Sequence, residues 1–340
     1  MSSDGQSPPP ELGQARARFL ELVGEIRPEL HRYCARLTGS VVEGEDIVQD
    51  TLAKAYYAIS MAQEMPPLRP FLFRIAHNTA MDLLRRYERK HVELVAELPD
   101  DITLDERPDP AVMRAALATF LDLPIAQRSA VILKDVLGCT LEEIVESTGA
   151  SLPAVKAALH RGRAALRARA ELVGSPGATQ GREAPRKDPA ALAEERALLH
   201  RYATLFNARD WEALRRFIAE DCRLDLVSRT ERRGPAVGEY FTRYAALRDF
   251  RVVPGVLEDA ATGAAGAAGA AGAARAAGGR PALAIFSPRA SLHPSTFVLL
   301  DWRGGRITLI RDFRYVPYIA DEVLNGRAAF WADANQEESP

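Results

Sequence analysis

No stretch of the 340-residue chain approaches the ~20 consecutive apolar residues that cross a bilayer, so no membrane span is indicated. Its 47% hydrophobic content is nevertheless enough for two or three domains, each with its own core. The N-terminus, MSSDGQSPPPELG, has no apolar centre of the kind a signal peptide needs, which predicts a cytoplasmic protein. Cysteine is scarce. Cys34, Cys139 and Cys222 are far apart, and no C-x-x-C spacing occurs, so they read as buried free thiols and not as a metal site or a disulfide framework. A strong basic excess is missing too. The formal net charge is −2, whereas a stand-alone DNA-binding domain is usually strongly basic. Catalytic pairings are also lacking. His200, Asp225, His293, Asp301 and Asp312 stand at no diagnostic spacing, so no catalytic residue, metal or cofactor is assigned.

What is present falls into segments. The Pro-, Gly- and charge-rich run 174–189 reads as a flexible linker that divides the chain into halves of different character. Within the first half, residues 93–110 hold seven acids and one base with no helical or strand period, and they read as an acidic tether. The run 260–279 is almost entirely Ala and Gly. It has no bulky side chain to bury, which predicts a loop inserted in the last domain.

Residues 12–92 carry helical periods. Phe19, Leu22, Val23, Ile26, Leu30, Tyr33 and Leu37 form one stripe, and Ile47, Val48, Leu52 and Ala55 a second. The second helix turns Glu45, Asp46, Gln49 and Asp50 to its opposite, polar face. A third helix, FLFRIAHNTAMDLLRRYERKH, begins aromatic and ends basic. The motifs DIVQDTLAKAYYAI and FLFRIAHNTAMDLLRR, in this order and spacing, resemble region 2 of an extracytoplasmic-function (ECF) sigma factor of the sigma-70 family. The resemblance implies that Asp46, Gln49 and Asp50 dock on core RNA polymerase, at the coiled coil of its β′ subunit. It also implies that the third helix and the loop before it open the promoter's −10 element. Asn78 would then contact a flipped base, Ser60 and Met61 would belong to the pocket wall that runs to Met65, and Arg74, Arg85 and Arg86 would face phosphates. Capture of an extruded base needs such a basic track beside polar groups that reach the base edge. The family often has Trp where this chain has Phe71.

Residues 111–173 contain a second signature. Thr140 and Glu143 are spaced as a capping box, Gly149 marks a tight turn, Ser151 caps the next helix, and Pro153 sits in its first turn. Helix, glycine turn, helix is the helix-turn-helix pattern. The second helix carries Lys156, His160, Arg161, Arg163, Arg167 and Arg169 with no acid up to Ala170. This part resembles sigma region 4, which implies that Lys156, Ala157, His160 and Arg161 face base edges of the −35 element and Arg163 a phosphate, with the polymerase β flap as a further partner. Arg can read guanine bidentately. Residues 1–174 hold 21 Lys and Arg against 25 Asp and Glu, an acidic balance suited to a factor that binds DNA only together with polymerase.

Residues 190–333 predict a different class. An amphipathic helix that breaks at 207–210 is followed by RVVPGVL, PALAIFSP, STFVLLDWR and RITLIRDFRYV, all strand-like. Element order and the NARDWEAL turn resemble the SnoaL-like or NTF2-like fold, a curved sheet wrapped on a helix to form a cone. The predicted architecture is therefore multidomain: two all-α sigma domains plus an α+β cone. The expected function is a sigma factor that directs transcription initiation, with promoter DNA and core RNA polymerase as partners, no membrane partner, and the cone regulating in cis through contact with the sigma domains. The competing reading is a small-molecule cyclase or isomerase, or a ligand sensor, fused to a DNA-binding region.

Overall fold

The computed structural model describes residues 10–61, 66–87, 120–121, 123–173, 189–227, 230–257, 280–320 and 328–330. The acidic tether 93–110, the linker up to residue 188, the Ala/Gly run 260–279 and the loop positions 62–65 lie outside them. No helix among the described residues is long and apolar enough to cross a membrane.

The first part is three helices, α1 (Pro10–Thr38), α2 (Val41–Met61) and α3 (Leu68–Tyr87). Their stripes meet as the periodicity predicts: Phe19, Val23, Leu30, Tyr33 and Leu37 of α1 are buried against Ile47, Val48 and Ala55 of α2. α2 lies close on α1 because Gly44 has no side chain. A Cβ there would sit 2.6 Å from the backbone nitrogen of Ala35.

In the second part, α4 (Ile125–Val131) runs into a π turn over Ile132–Val136. α5 (Leu141–Thr148) and α6 (Leu152–Val173) follow. The buried residues of the two helical parts form one continuous cluster, from Phe19 to Leu166. Polar groups reinforce this seam. Arg128 is buried and donates to the carbonyls of Leu37 (2.6 Å), Leu121 (2.9 Å) and Leu123 (3.0 Å). Arg69 reaches Glu29 and Glu143, each at 3.1 Å, so it joins α1 to the start of α5.

The C-terminal part is α+β. Helix α7 (Pro189–Asn207) ends at a turn in which Arg209 takes φ 61°, and α8 (Trp211–Arg215) follows. Strands β1 (Ile218–Leu226) and β2 (Thr230–Arg233) come next, then a 3-10 turn (Gly234–Glu239) and α9 (Tyr240–Ala246). The remaining strands are β3 (Arg251–Leu257), β4 (Arg280–Phe286), β5 (Thr296–Arg303), β6 (Arg306–Asp312) and β7 (Ala328–Phe330). They form one seven-stranded sheet in the order β2-β1-β6-β5-β4-β3-β7. Among the described strands only β1 and β6 pair in parallel, and a register shift between Ile218 and Arg223 bends β1.

The sheet is covered on both faces. Val298 and Leu300 of β5 point to α7 and α9, where Tyr202, Phe206, Phe241 and Tyr244 fill the hollow. Phe297 and Leu299 point the other way, into a cluster with Phe313, Val316 and Ile319 and with Ala35, Val41 and Val42 of the first part. An antiparallel sheet with one face in water alternates apolar and polar residues. The unbroken run Phe297–Leu300 lacks that alternation because neither face meets water.

Candidate functional site

The acidic face of α2 is shaped by the stripe beneath it. Glu45 follows Val41 by four residues and Val42 by three, so it falls on the packed side of the helix. The polar-face assignment of Glu45 is thereby corrected: its side chain is fully buried. It is ion-paired with Arg27 and accepts from the phenol of Tyr318 at 2.7 Å. Burial, and then the Glu45 carboxylate, push the Tyr318 phenol above its usual range. Arg27 Nε also donates to the Tyr318 oxygen at 2.6 Å, and His31 lies beside the ring, centroids 5.3 Å apart.

Asp46 and Asp50 remain on the outer side, and Gln49 is half-buried. Asp46 does not face open water alone, because the Arg311 guanidinium of β6 meets both of its carboxylate oxygens. Arg311 is steadied by Asp225, 2.9 Å from its Nε, and lies 5.5 Å from the centre of the Phe313 ring. The Asp46 side chain is 50% exposed, so the pair itself contributes at most about 1 kcal/mol. The apolar contacts of Val41 and Val42 with the sheet hold the junction. Asp50 is exposed beyond it.

Along α3, Arg74, Asn78 and Arg85 are exposed, and their spacings of four and seven place them on one stripe. Arg86 belongs to the helix, but its side chain lies outside the described set. At the end of α2, Ser60 is exposed and donates to the Tyr57 carbonyl at 2.7 Å, and Met61 is 70% exposed. Lys54 of α2 reaches Thr79 of α3 at 2.9 Å, which ties the two elements that would flank an extruded base.

The helix-turn-helix forms for local reasons. Thr140 accepts from the Glu143 backbone at 3.1 Å, and Glu143 accepts from the Thr140 backbone at 2.8 Å. Gly149 closes α5 at φ 71°, a left-handed conformation that costs an L side chain about 1–2 kcal/mol. On α6, Val155, Leu159 and Leu166 face inward, and His160 faces out. Lys156, Ala157 and Arg161 are half-buried at the margin of the same outer surface. Arg163 does not join them. It follows Leu159 by four residues, on the buried stripe, and pairs with Asp135 of the π turn through Nε at 3.0 Å. The expected phosphate contact by Arg163 is therefore corrected. The sequence held the signal, since Arg163 interrupts an otherwise apolar spacing.

Burial also sets the chemistry of the remaining titratable groups. His77 is buried at the seam, where its Nδ1 meets the Tyr33 hydroxyl at 2.8 Å and the Ser129 hydroxyl at 3.3 Å. Desolvation, with a smaller contribution from Arg85, lowers its pKa to about 4. All three cysteines are free and buried. Desolvation raises each thiol, with Cys222 reaching about 11, so none is an activated nucleophile.

In the hollow of the sheet, Asp312 accepts from Tyr240 (3.0 Å), Tyr244 (2.8 Å) and Arg314 (2.9 Å). This carboxylate is held in a closed network. Asp225 is engaged by Arg311, while His293 and Asp301 are exposed, so the structure does not gather these side chains into one site. No group of three or more metal-ligating side chains occurs among the described residues. The Tyr202 hydroxyl and the Trp302 indole nitrogen are buried with no partner among the described residues.

Comparison with known proteins places these elements. The sigma-70 region 2 family model matches residues 22–90, and a sigma-70 region 4 model matches residues 114–166. The ECF RNA polymerase sigma factor SigG of Mycobacterium tuberculosis (strain ATCC 25618 / H37Rv) is 30% identical over 230 residues. That match spans 59% of this chain and 59% of the length of SigG. The RNA polymerase sigma factor CarQ of Myxococcus xanthus is 30% identical over 164 residues, 47% of this chain and 91% of CarQ. The crystal structure of the M. tuberculosis extracytoplasmic function sigma factor SigJ is 17% identical, covers 86% of this chain and 95% of that one, and has a TM-score of 0.30. On the two region models and the near-complete coverage of CarQ, this chain belongs to the sigma-70 family of RNA polymerase sigma factors, and its relatives include extracytoplasmic-function members.

Proposed function

We propose that the chain is a cytoplasmic RNA polymerase sigma factor, not an enzyme, and directs transcription initiation at specific promoters. The outer face of α2, with Asp46, Gln49 and Asp50, docks on the coiled coil of β′. Asn78, Arg74, Arg85 and Arg86 of α3, with Ser60 and Met61 in the last turn of α2, engage the opened −10 element. Lys156, Ala157, His160 and Arg161 of α6 meet the −35 element, and the second helical part meets the β flap. The appended α+β domain regulates these steps in cis.

The observation that carries this reading is the division of charge in one family-assigned chain. An outward acidic end of α2 stands with the outward basic side of α6, the second helix of the helix-turn-helix. A DNA-binding protein that worked without polymerase would need the second and not the first. A second reading, a ligand-binding cone, is favoured by the unpartnered Tyr202 hydroxyl and Trp302 indole nitrogen in the hollow. A polar group buried without a hydrogen bond costs free energy that a bound partner would recover.

Run-off transcription with core polymerase over a fragment library tests the proposal, with the full-length chain and a form ending at Gly174 assayed side by side. Transcripts that start at defined positions and depend on the added chain are expected from at least one form. Failure of both, with core polymerase active alongside another sigma factor, would overturn the reading.

A further inference from the structure

We infer that the α+β domain and core polymerase compete for the same part of α2, so that the closed chain described here is a self-blocked form that polymerase must displace. The inference rests on the proposed docking role of α2 and deepens it by naming how the cone acts.

Positions 42, 45, 46 and 49 lie on one face of α2 by helical spacing. The cone takes the first three. Val42 is buried in the cluster with Phe313, Val316 and Ile319. Glu45 is buried under the Tyr318 hydroxyl. Asp46 gives both carboxylate oxygens to Arg311. An arginine fork occupies a carboxylate in a fixed plane, which leaves little room for a second cation on the same oxygens. Asp50, one turn further on, stays exposed. The face is therefore half covered: polymerase can meet Asp50 in the closed chain, but it can reach Asp46 only after the cone has moved.

The cover is built into the cone. Arg311 is prearranged by Asp225 on the neighbouring strand and by the Phe313 ring. The sheet face behind it carries Phe297 and Leu299, which share one buried cluster with the cone's own Phe313, Val316 and Ile319 and with Ala35, Val41 and Val42 of the sigma part. The α1–α2 corner of this same chain completes the cover of that face.

The test uses the full-length chain with spin labels at two exposed positions, Asp82 on α3 and Asp301 on β5. The distance between them reports closure without reference to polymerase, and a titration gives the affinity for core polymerase. Arg311→Glu sets an acid against Asp46, Asp225 and Glu45, while Tyr318→Ala removes the contact to Glu45 and leaves β6 untouched. Circular dichroism checks that both variants stay folded.

Each variant is expected to lengthen the distance. If the closed form holds nine-tenths of the molecules, Arg311→Glu raises the apparent affinity about tenfold. Saturating core polymerase is expected to lengthen the distance in the unaltered chain. A closed distance in the polymerase complex would overturn the inference. So would an opened variant whose affinity for core is unchanged or lower. Asp50→Arg separates the two levels. If it weakens core binding while opening the cone has no effect, docking through α2 stands and competition is wrong. If it too leaves binding unchanged, the docking role of α2 has failed.

Discussion

His77 shows how a single buried side chain couples the two helical parts to pH. It belongs to α3 but touches Ser129 of α4, with Tyr33 of α1 between them. The folded chain holds the imidazole neutral down to about pH 4, whereas in the unfolded chain it takes a proton near 6.5. Between those values the unfolded state binds more protons, so stability falls as pH falls and then levels off below about 4. The difference amounts to about 3 kcal/mol. His77→Gln should remove this component. Urea unfolding of both proteins from pH 7 to pH 4 checks it, and parallel pH profiles would show that His77 does not titrate in this way. Two residue assignments, Glu45 and Arg163, were legible only in part. Each is charged, and the sequence predicts Glu45 on the polar face of α2 and Arg163 against a phosphate, yet each stands three or four residues from apolar neighbours on a packed stripe. Periodicity outranks charge when a buried partner is available, and those partners, Arg27 and Asp135, stand 18 and 28 residues away in sequence.

Elements whose causes are local were legible in the sequence. The capping box, the glycine turn and the basic α6 depend on residues a few positions apart, and the structure has them as read. Thr140→Ala should cost about 1 kcal/mol, because the Glu143 amide loses its acceptor at the start of α5. Thermal unfolding measures this, and an unchanged midpoint would show that the cap carries no stability. Strands β3 to β6 were also visible as apolar runs. β1 starts at Ile218, and its first four residues show no alternation, with Ile218 and Ala219 half-buried and Glu220 and Asp221 exposed beside a register shift. β2 and β7 are short, and nothing in their local pattern announces a strand.

At the scale of the whole molecule, sequence reading gave the parts and left their assembly open. The in-cis reading expects contact between cone and sigma domains. The structure makes it through Arg311, Phe313 and Tyr318, and the opposing surface is the α1–α2 corner. The two-faced apolar run Phe297–Leu300 was the sequence signal that something covers the outer side of the sheet, but such a run does not say what. The packing of the second helical part on the first, through Arg69, Arg128 and a shared core, is also a long-range property.

The outer face of α2 is proposed as the polymerase-binding surface, and one titration tests that most directly. Asp50 is exposed and outside the cone contact, so Asp50→Arg leaves both the fold and the cone in place. Labelled full-length chain is titrated with core polymerase in its unaltered form and as Asp50→Arg. Reversing one docking charge should weaken binding about tenfold or more, since like charges brought together at an interface cost several kcal/mol. Equal affinities, with the helical spectrum of the variant unchanged, would contradict the account.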